Sequence, residues 1–264
     1  MAFNIRNKVA IVTGGSSGIG FETVELLLSQ GAKVAWCGRN VERLQNSYAQ
    51  VCTNYPDDRC LALPCDVLDK EQVEGFVANI VRQFGQIDML INNAGQGLVS
   101  NFDNTTDEQW ISEVKLKYFS VLHIIKATLP YLRKSEIGSI TNINSLLALK
   151  PEPHMIATSA ARAGLLNLTK TLSRELAPEN IRINSVLIGM VESGQWEKRY
   201  EQRSDKNLTW EEWIGRIAKE RNIPMGRLGY PCEVANALVF LASPLASYIT
   251  GSTIEVTGGF SLEI

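Results

Sequence analysis

Val9-Ala10-Ile11-Val12-Thr13-Gly14-Gly15-Ser16-Ser17-Gly18-Ile19-Gly20 decides the fold. Its first four residues form a short apolar run rich in β-branched side chains, the mark of a strand buried on both faces. Glycines follow, and Gly18 to Gln30 then reads as a helix closed by Gly31. A strand, a glycine-rich turn and a helix N-terminus together make a device for holding a pyrophosphate. Glycines let the backbone turn tightly and come close to the phosphates, and the helix end offers free N–H donors and partial positive charge. Gly14, Ser16, Ser17, Gly18, Ile19 and Gly20 are the candidate residues on the phosphate side. Gly14-x-Ser16-x-Gly18 also matches a hydrolase nucleophile elbow formally. It lies on the first strand of a chain with two histidines, His123 and His154, which argues against that chemistry.

Working outward, strand-like and helix-like segments alternate to the end of the chain. Strands are expected at 33–37, 61–63, 87–91, 138–144, 181–187 and 253–256, and helices after Asn40, over the period Val73, Phe76, Val77, Ile80, Val81, Phe84, and at about 106–133, 157–176 and 231–242. This is the pattern of an α/β fold: a Rossmann-type doubly wound parallel sheet of about seven strands with helices on both faces. One dinucleotide-binding domain is expected over 1–264. A long, charged and aromatic insertion at about 191–226 carries Trp196, Tyr200, Trp210 and Trp213. It is either a lid over a ligand or a surface helix pair with buried tryptophans.

With 264 residues, 45% hydrophobic and 20% charged, the chain suits a soluble fold with a substantial core. A net charge of −2 provides no basic field for nucleic acid or anionic lipid. No run of eighteen apolar residues spans a membrane, and the early first strand leaves no room for a signal peptide. Cys37, Cys52, Cys60, Cys65 and Cys232 form no Cys-x-x-Cys pair. Free thiols in a reducing cytoplasm are expected, with no metal.

After the second strand, binders of NAD place an acidic residue on the ribose hydroxyls. Here Gly38 and Arg39 stand instead. Arg39 is either a clamp for a 2′-phosphate or a solvated surface arginine; the clamp favours NADP(H), with NAD(H) the alternative.

The glycine turn, Cys65-Asp66-Val67, Asn92-Asn93-Ala94-Gly95, the run ending at Ser145 and Ile188-Gly189-Met190-Val191-Glu192-Ser193 together resemble the short-chain dehydrogenase/reductase family from about Asn7 to Gly259. The resemblance implies that Asp66 and Val67 flank an adenine and that Asn93, Ala94 and Gly95 line the adenosine side. It places Val191 and Ser193 against the nicotinamide carboxamide. It also implies a small-molecule substrate and a homo-oligomer, tetramer or dimer. The family's chemistry uses a tyrosine as acid or base, a lysine four residues on, a polarising serine and a supporting asparagine. Ser145 matches the serine, but Thr158, Arg162 and Lys117 stand at the tyrosine, lysine and asparagine positions.

Threonine cannot replace a phenol as a proton shuttle, because an aliphatic hydroxyl titrates far above pH 10. Arg162 can hold a ribose but stays protonated. A lysine enclosed beside Arg162 would lose basicity through desolvation and like charge, so Lys117 is a candidate proton donor, with Ser145 orienting a carbonyl and His154 a second candidate. Each has a plainer alternative: Lys117 as the partner of Glu113, His154 as a loop residue, Ser145 as a local cap. The expected function is a carbonyl/alcohol oxidoreductase with an altered proton relay. A cofactor-binding pseudoenzyme or regulatory subunit and a non-redox lyase or dehydratase are the alternatives.

Overall fold

The computed structural model describes residues 3–261. Seven strands form one parallel sheet: β1 (Val9–Thr13), β2 (Lys33–Gly38), β3 (Cys60–Pro64), β4 (Met89–Asn92), β5 (Ser139–Ser145), β6 (Arg182–Ile188) and β7 (Thr253–Val256), in the order β3-β2-β1-β4-β5-β6-β7. Order reverses between β1 and β4, so a crevice opens beyond their C-terminal ends, where this class of sheet binds its ligands. The helices are α1 (Gly18–Ser29), α2 (Val41–Cys52), α3 (Lys70–Phe84), α4 (Asp107–Leu132), α5 (Ile156–Leu176), α6 (Gly194–Gln202), α7 (Trp210–Glu220) and α8 (Pro231–Ala242). The doubly wound parallel sheet read from the sequence is therefore the fold.

Side-chain alternation builds the two layers. Ala10 and Val12 of β1, with Val34 and Trp36 of β2, pack on the α1–α8 face. Val9, Ile11, Ala35 and Cys37 point the other way, to α3, α4 and α5. The helix stops are chemical ones. Asn40 accepts from Arg43 N at the start of α2. Thr106 and Gln109 cap α4 reciprocally, and Gly85 ends α3 in the left-handed region at φ 78°.

β4 starts two residues later than expected. Asp88 is buried, and its carboxylate accepts from Val9 N (2.8 Å) and Ser135 Oγ (2.6 Å), so a side chain rather than a backbone carbonyl meets Val9 N, while Asp88 N donates to Val9 O (2.9 Å). The five cysteines are free thiols, with Cys37, Cys60 and Cys65 buried. Among the described residues, no helix is long and apolar enough to cross a membrane.

Residues 191–226 hold α6 and α7, which share a small core with the flanking chain. Ile214, Ala218, Ile223 and Leu228 are buried there, with Trp196, Trp210 and Trp213 packed against them. The aromatic rings meet one another at 5.3–6.0 Å, from Tyr200–Trp210 to Trp196–Trp213. Trp196 and Trp210 also face the crevice.

Candidate active site

The crevice is a cleft of about 1270 Å³ running from the β1–α1 turn, past the ends of β4 and β5, to α6. Its first wall is shaped by missing side chains. Gly14 and Gly18 adopt φ 68° and 53°, which β-carbons disfavour. A Cβ on Gly20 would lie 2.2 Å from Gly14 O, and one on Gly15 would lie 2.6 Å from Trp36 Cβ. Asn93 holds the turn in place, its Nδ2 donating to Thr13 O and Gly14 O at 2.9 Å. Asn93 thus braces the cradle as well as lining it. Ser17 is the N-cap of α1 without a side-chain cap bond. With Ser16, Gly18 and Ile19 it lines the cleft, and these groups fit a pyrophosphate.

Gly38 has a structural reason as well. A Cβ there would come within 3.0 Å of Ser16 Oγ, so an acidic side chain would crowd the turn. Arg39 is exposed on the cleft rim and makes no ion pair among the described residues, leaving its guanidinium available to a phosphate. Arg43, one turn into α2, lines the same rim. Sequence reasoning missed it: Arg39 precedes the Asn40 cap of α2, so no helical spacing ties the two arginines. Asp66, Val67, Ala94 and Gly95 line the next stretch, and Val191 and Ser193 the far end. Gly20 lies behind the cleft surface and acts through packing.

The opposite wall brings three of the candidate catalytic residues together. α4 presents Glu113 and Lys117 one turn apart, and α5 presents Thr158 and Arg162 one turn apart. Lys117, 2% exposed, donates to Gln96 O (2.7 Å) and to Glu113 Oε2 (3.0 Å). Thr158 Oγ1 donates to the same Glu113 oxygen at 2.6 Å and accepts from Leu98 N at 2.9 Å. Thr158 lines the cleft, though only 1% of its surface is open, while Lys117 and Glu113 lie behind it. Burial, reinforced by the Arg162 guanidinium, pulls the Lys117 ammonium down to about 8 against the opposing pull of Glu113. Burial likewise lowers Arg162 to about 10, so it stays charged at neutral pH. Arg162 Nη1 donates to Ile143 O (3.0 Å), and its Nε has no partner among the described residues.

The other candidates sit apart from this group. Ser145 ends β5 on the cleft wall, and its Oγ accepts from Leu147 N (3.2 Å), leaving the hydroxyl proton free to donate. His154 is half exposed at the mouth, its Nε2 3.3 Å from Glu152 Oε2, with Arg221 Nη1 2.9 Å from the same carboxylate oxygen. That places it in a surface ion cluster rather than on the Lys117–Thr158 wall. Glu113 was visible in the sequence only as a partner of Lys117 four residues away. Its bond to Thr158 crosses 45 residues of chain and had no sequence signal.

A family model described as enoyl-(acyl carrier protein) reductase matches residues 14–261. The chain belongs to the short-chain dehydrogenase/reductase family. It is 32% identical over 255 residues to 3-oxoacyl-(acyl-carrier-protein) reductase FabG of Chlamydia trachomatis, covering 97% of this chain and 98% of that one. Among solved structures, it is similar to a short-chain oxidoreductase from Pseudomonas aeruginosa PAO1 described as containing an atypical catalytic center. Against its NADPH-bound form the TM-score is 0.95 at 50% identity, over 98% of this chain and 99% of that one. L-sorbose reductase from Gluconobacter frateurii, complexed with NADPH and L-sorbose, gives 0.93 at 30% identity over the whole of both chains.

Proposed function

We propose that the protein is an NADP(H)-dependent oxidoreductase for the carbonyl/alcohol pair of a small molecule, with Lys117 as its proton reservoir. One observation carries this: an enclosed ammonium, drawn down to about 8 by burial and Arg162, stands behind the wall where the family's tyrosine position falls. A group titrating near working pH is suited to general acid–base chemistry.

Gly14, Ser16, Ser17, Gly18 and Ile19 would hold the pyrophosphate, and Arg39, with Arg43 beside it, the 2′-phosphate. Asp66, Val67, Ala94 and Gly95 would border the adenosine half, braced by Asn93 and Gly20. Arg162, Val191 and Ser193 would border the nicotinamide half. When bound, the cofactor supplies or accepts hydride at a carbon of the substrate. Ser145 donates its free hydroxyl proton in a hydrogen bond to the substrate oxygen and orients it. Arg162 contributes fixed positive charge. The α6–α7 segment, with Trp196 and Trp210 on the cleft, acts as a lid that excludes water. Exposed Ile111, Val114 and Phe119 on α4 suit a homo-oligomer. The NADPH-bound relatives support the choice of cofactor, and the NADPH- and sorbose-bound relative supports a carbonyl substrate.

The test is a titration with NADPH and NADH by nicotinamide fluorescence, followed by NADPH oxidation with acetoacetyl-N-acetylcysteamine, L-sorbose and 2,3-butanedione. Tighter NADPH binding and turnover of a carbonyl are expected. Binding without turnover would favour a cofactor-binding pseudoenzyme. Binding of neither nucleotide would remove the oxidoreductase reading.

A further inference from the structure

Lys117 stands behind the cleft surface. Its ammonium donates to Gln96 O and Glu113 Oε2, and it does not line the cleft. A proton leaving Lys117 must therefore pass through a neighbour. Glu113 Oε2 accepts from Lys117 Nζ at 3.0 Å and from Thr158 Oγ1 at 2.6 Å. Thr158 is the member of the three that reaches the cleft. Gly97 stands beside it: a Cβ there would lie 3.8 Å from Thr158 Oγ1 and 2.8 Å from Met155 Cε, and the Leu98 backbone flanks the hydroxyl through its N (2.9 Å) and its O (3.2 Å).

From this geometry we infer that Glu113 is the link of a proton relay, Lys117–Glu113–Thr158, that delivers protons to and from the substrate oxygen. The relay rests on the proposed carbonyl/alcohol chemistry. In alcohol oxidation the substrate hydroxyl gives its proton to Thr158 Oγ1. Thr158 passes its own proton to Glu113 Oε2, and Glu113 passes one to the neutral Lys117 amine. The substrate loses one hydride and one proton, Lys117 becomes an ammonium, and Thr158 and Glu113 end as they began. In reduction every transfer reverses. The Thr158 hydroxyl rotates from Glu113 toward the substrate and gives its proton to the substrate oxygen, while Lys117 protonates Glu113 and Glu113 passes that proton to Thr158 Oγ1; the neutral Lys117 amine then recovers a proton from solvent. Thr158 never carries a net charge, so its high intrinsic pKa is no obstacle. The carboxylate also opposes the loss of basicity that burial and Arg162 impose on Lys117. Glu113 is a positioning and proton-passing residue; Thr158 is the one that would touch the substrate.

The experiment compares Lys117→Met, Glu113→Gln, Thr158→Val and Thr158→Ser with the wild-type chain, using NADPH and whichever carbonyl of the panel turns over. Glu113→Gln keeps an acceptor for both partners but cannot take a proton. Thr158→Val keeps the shape and removes the hydroxyl. If the relay operates, Lys117→Met, Glu113→Gln and Thr158→Val each lower kcat by roughly 10²–10⁴-fold with KM and NADPH affinity unmoved. The Glu113→Gln/Lys117→Met double variant is no slower than either single one, as for residues acting as a unit. Thr158→Ser keeps most of the rate, an outcome that packing alone would not give. A bowed dependence of kcat on deuterium fraction in mixed solvent is expected for several protons moving together.

Away from turnover, a 13C-lysine NMR titration of the free protein places the Lys117 midpoint near 8 and moves it lower in Glu113→Gln. Slow Lys117→Met beside fast Glu113→Gln and Thr158→Val would overturn the relay and leave Lys117 as a direct donor. Fast Lys117→Met would overturn both the relay and the reservoir. Lack of turnover by the wild-type chain would remove the oxidoreductase reading and the relay with it. If Glu113→Gln fails to fold, the Thr158→Val/Thr158→Ser pair decides.

Discussion

In the turn after β1 the decisive atoms are those left out, and across the cleft on the α4–α5 wall they are charges buried against one another. The turn works because Gly15 and Gly20 have no Cβ to strike Trp36 or Gly14 O, and because Gly14 and Gly18 adopt positive φ. On the wall, burial and the Arg162 guanidinium draw down the Lys117 ammonium, which Glu113 holds at 3.0 Å in a place that water barely reaches. A device of absent atoms tolerates almost no substitution. A device of mutually tuned charges can be rebuilt from different residues while its task persists. That contrast fits the proposed reading, in which the glycine cradle is kept and the proton chemistry is carried by Lys117, Glu113 and Thr158.

The sharpest way to break the comparison lies on the wall. Lys117→Met should cut kcat for reduction by about 10²–10⁴-fold while leaving NADPH affinity in place, read by steady-state kinetics beside a fluorescence titration. A loss of binding equal to the loss of rate would make Lys117 part of the frame, like the glycines. On the cradle side, Arg39→Ala should weaken NADPH by about ten- to a hundredfold, the worth of one charge-assisted hydrogen bond, and leave NADH unaffected. Equal weakening of both nucleotides would make Arg39 a general surface charge.

Two glycines of the same turn then separate space from backbone. Gly20→Ala should destabilise the fold by roughly 1–3 kcal/mol and weaken NADPH with it, since the new methyl would lie 2.2 Å from Gly14 O. Gly18→Ala meets nothing within 4 Å and should cost only the left-handed backbone, about 1–2 kcal/mol. Thermal melts of the two, with and without NADPH, check the order.

The cradle was legible in the sequence because its demands are local. A strand, a glycine turn with positive φ at Gly14 and Gly18, and a helix followed by Gly31 lie between Val9 and Gly31, and each states its own reason. The parallel sheet was legible too, from apolar runs alternating with 3.6-period stretches such as Val73 to Phe84. The wall was legible only in part. Lys117, Thr158 and Arg162 could be located by spacing, and Lys117 could be expected to lose basicity beside Arg162. What spacing could not show is that Lys117 sits behind the cleft surface and that Glu113 joins it to Thr158 across 45 residues. Asp88 teaches the same lesson. A side chain that takes over a backbone partner shortens a strand that periodicity alone extends.

The most direct measurement is the pH dependence of single-turnover NADPH oxidation by the wild-type chain and by Lys117→Met on the same carbonyl. Lys117 must be protonated to act as an acid, and its pKa is lowered to about 8. The wild-type rate should therefore be level below pH 8 and fall about tenfold per unit above it, with alcohol oxidation rising through the same point. Lys117→Met should be slow with no break near 8. A wild-type profile with no break there, or a break that survives in Lys117→Met, would contradict Lys117 as the source of the proton.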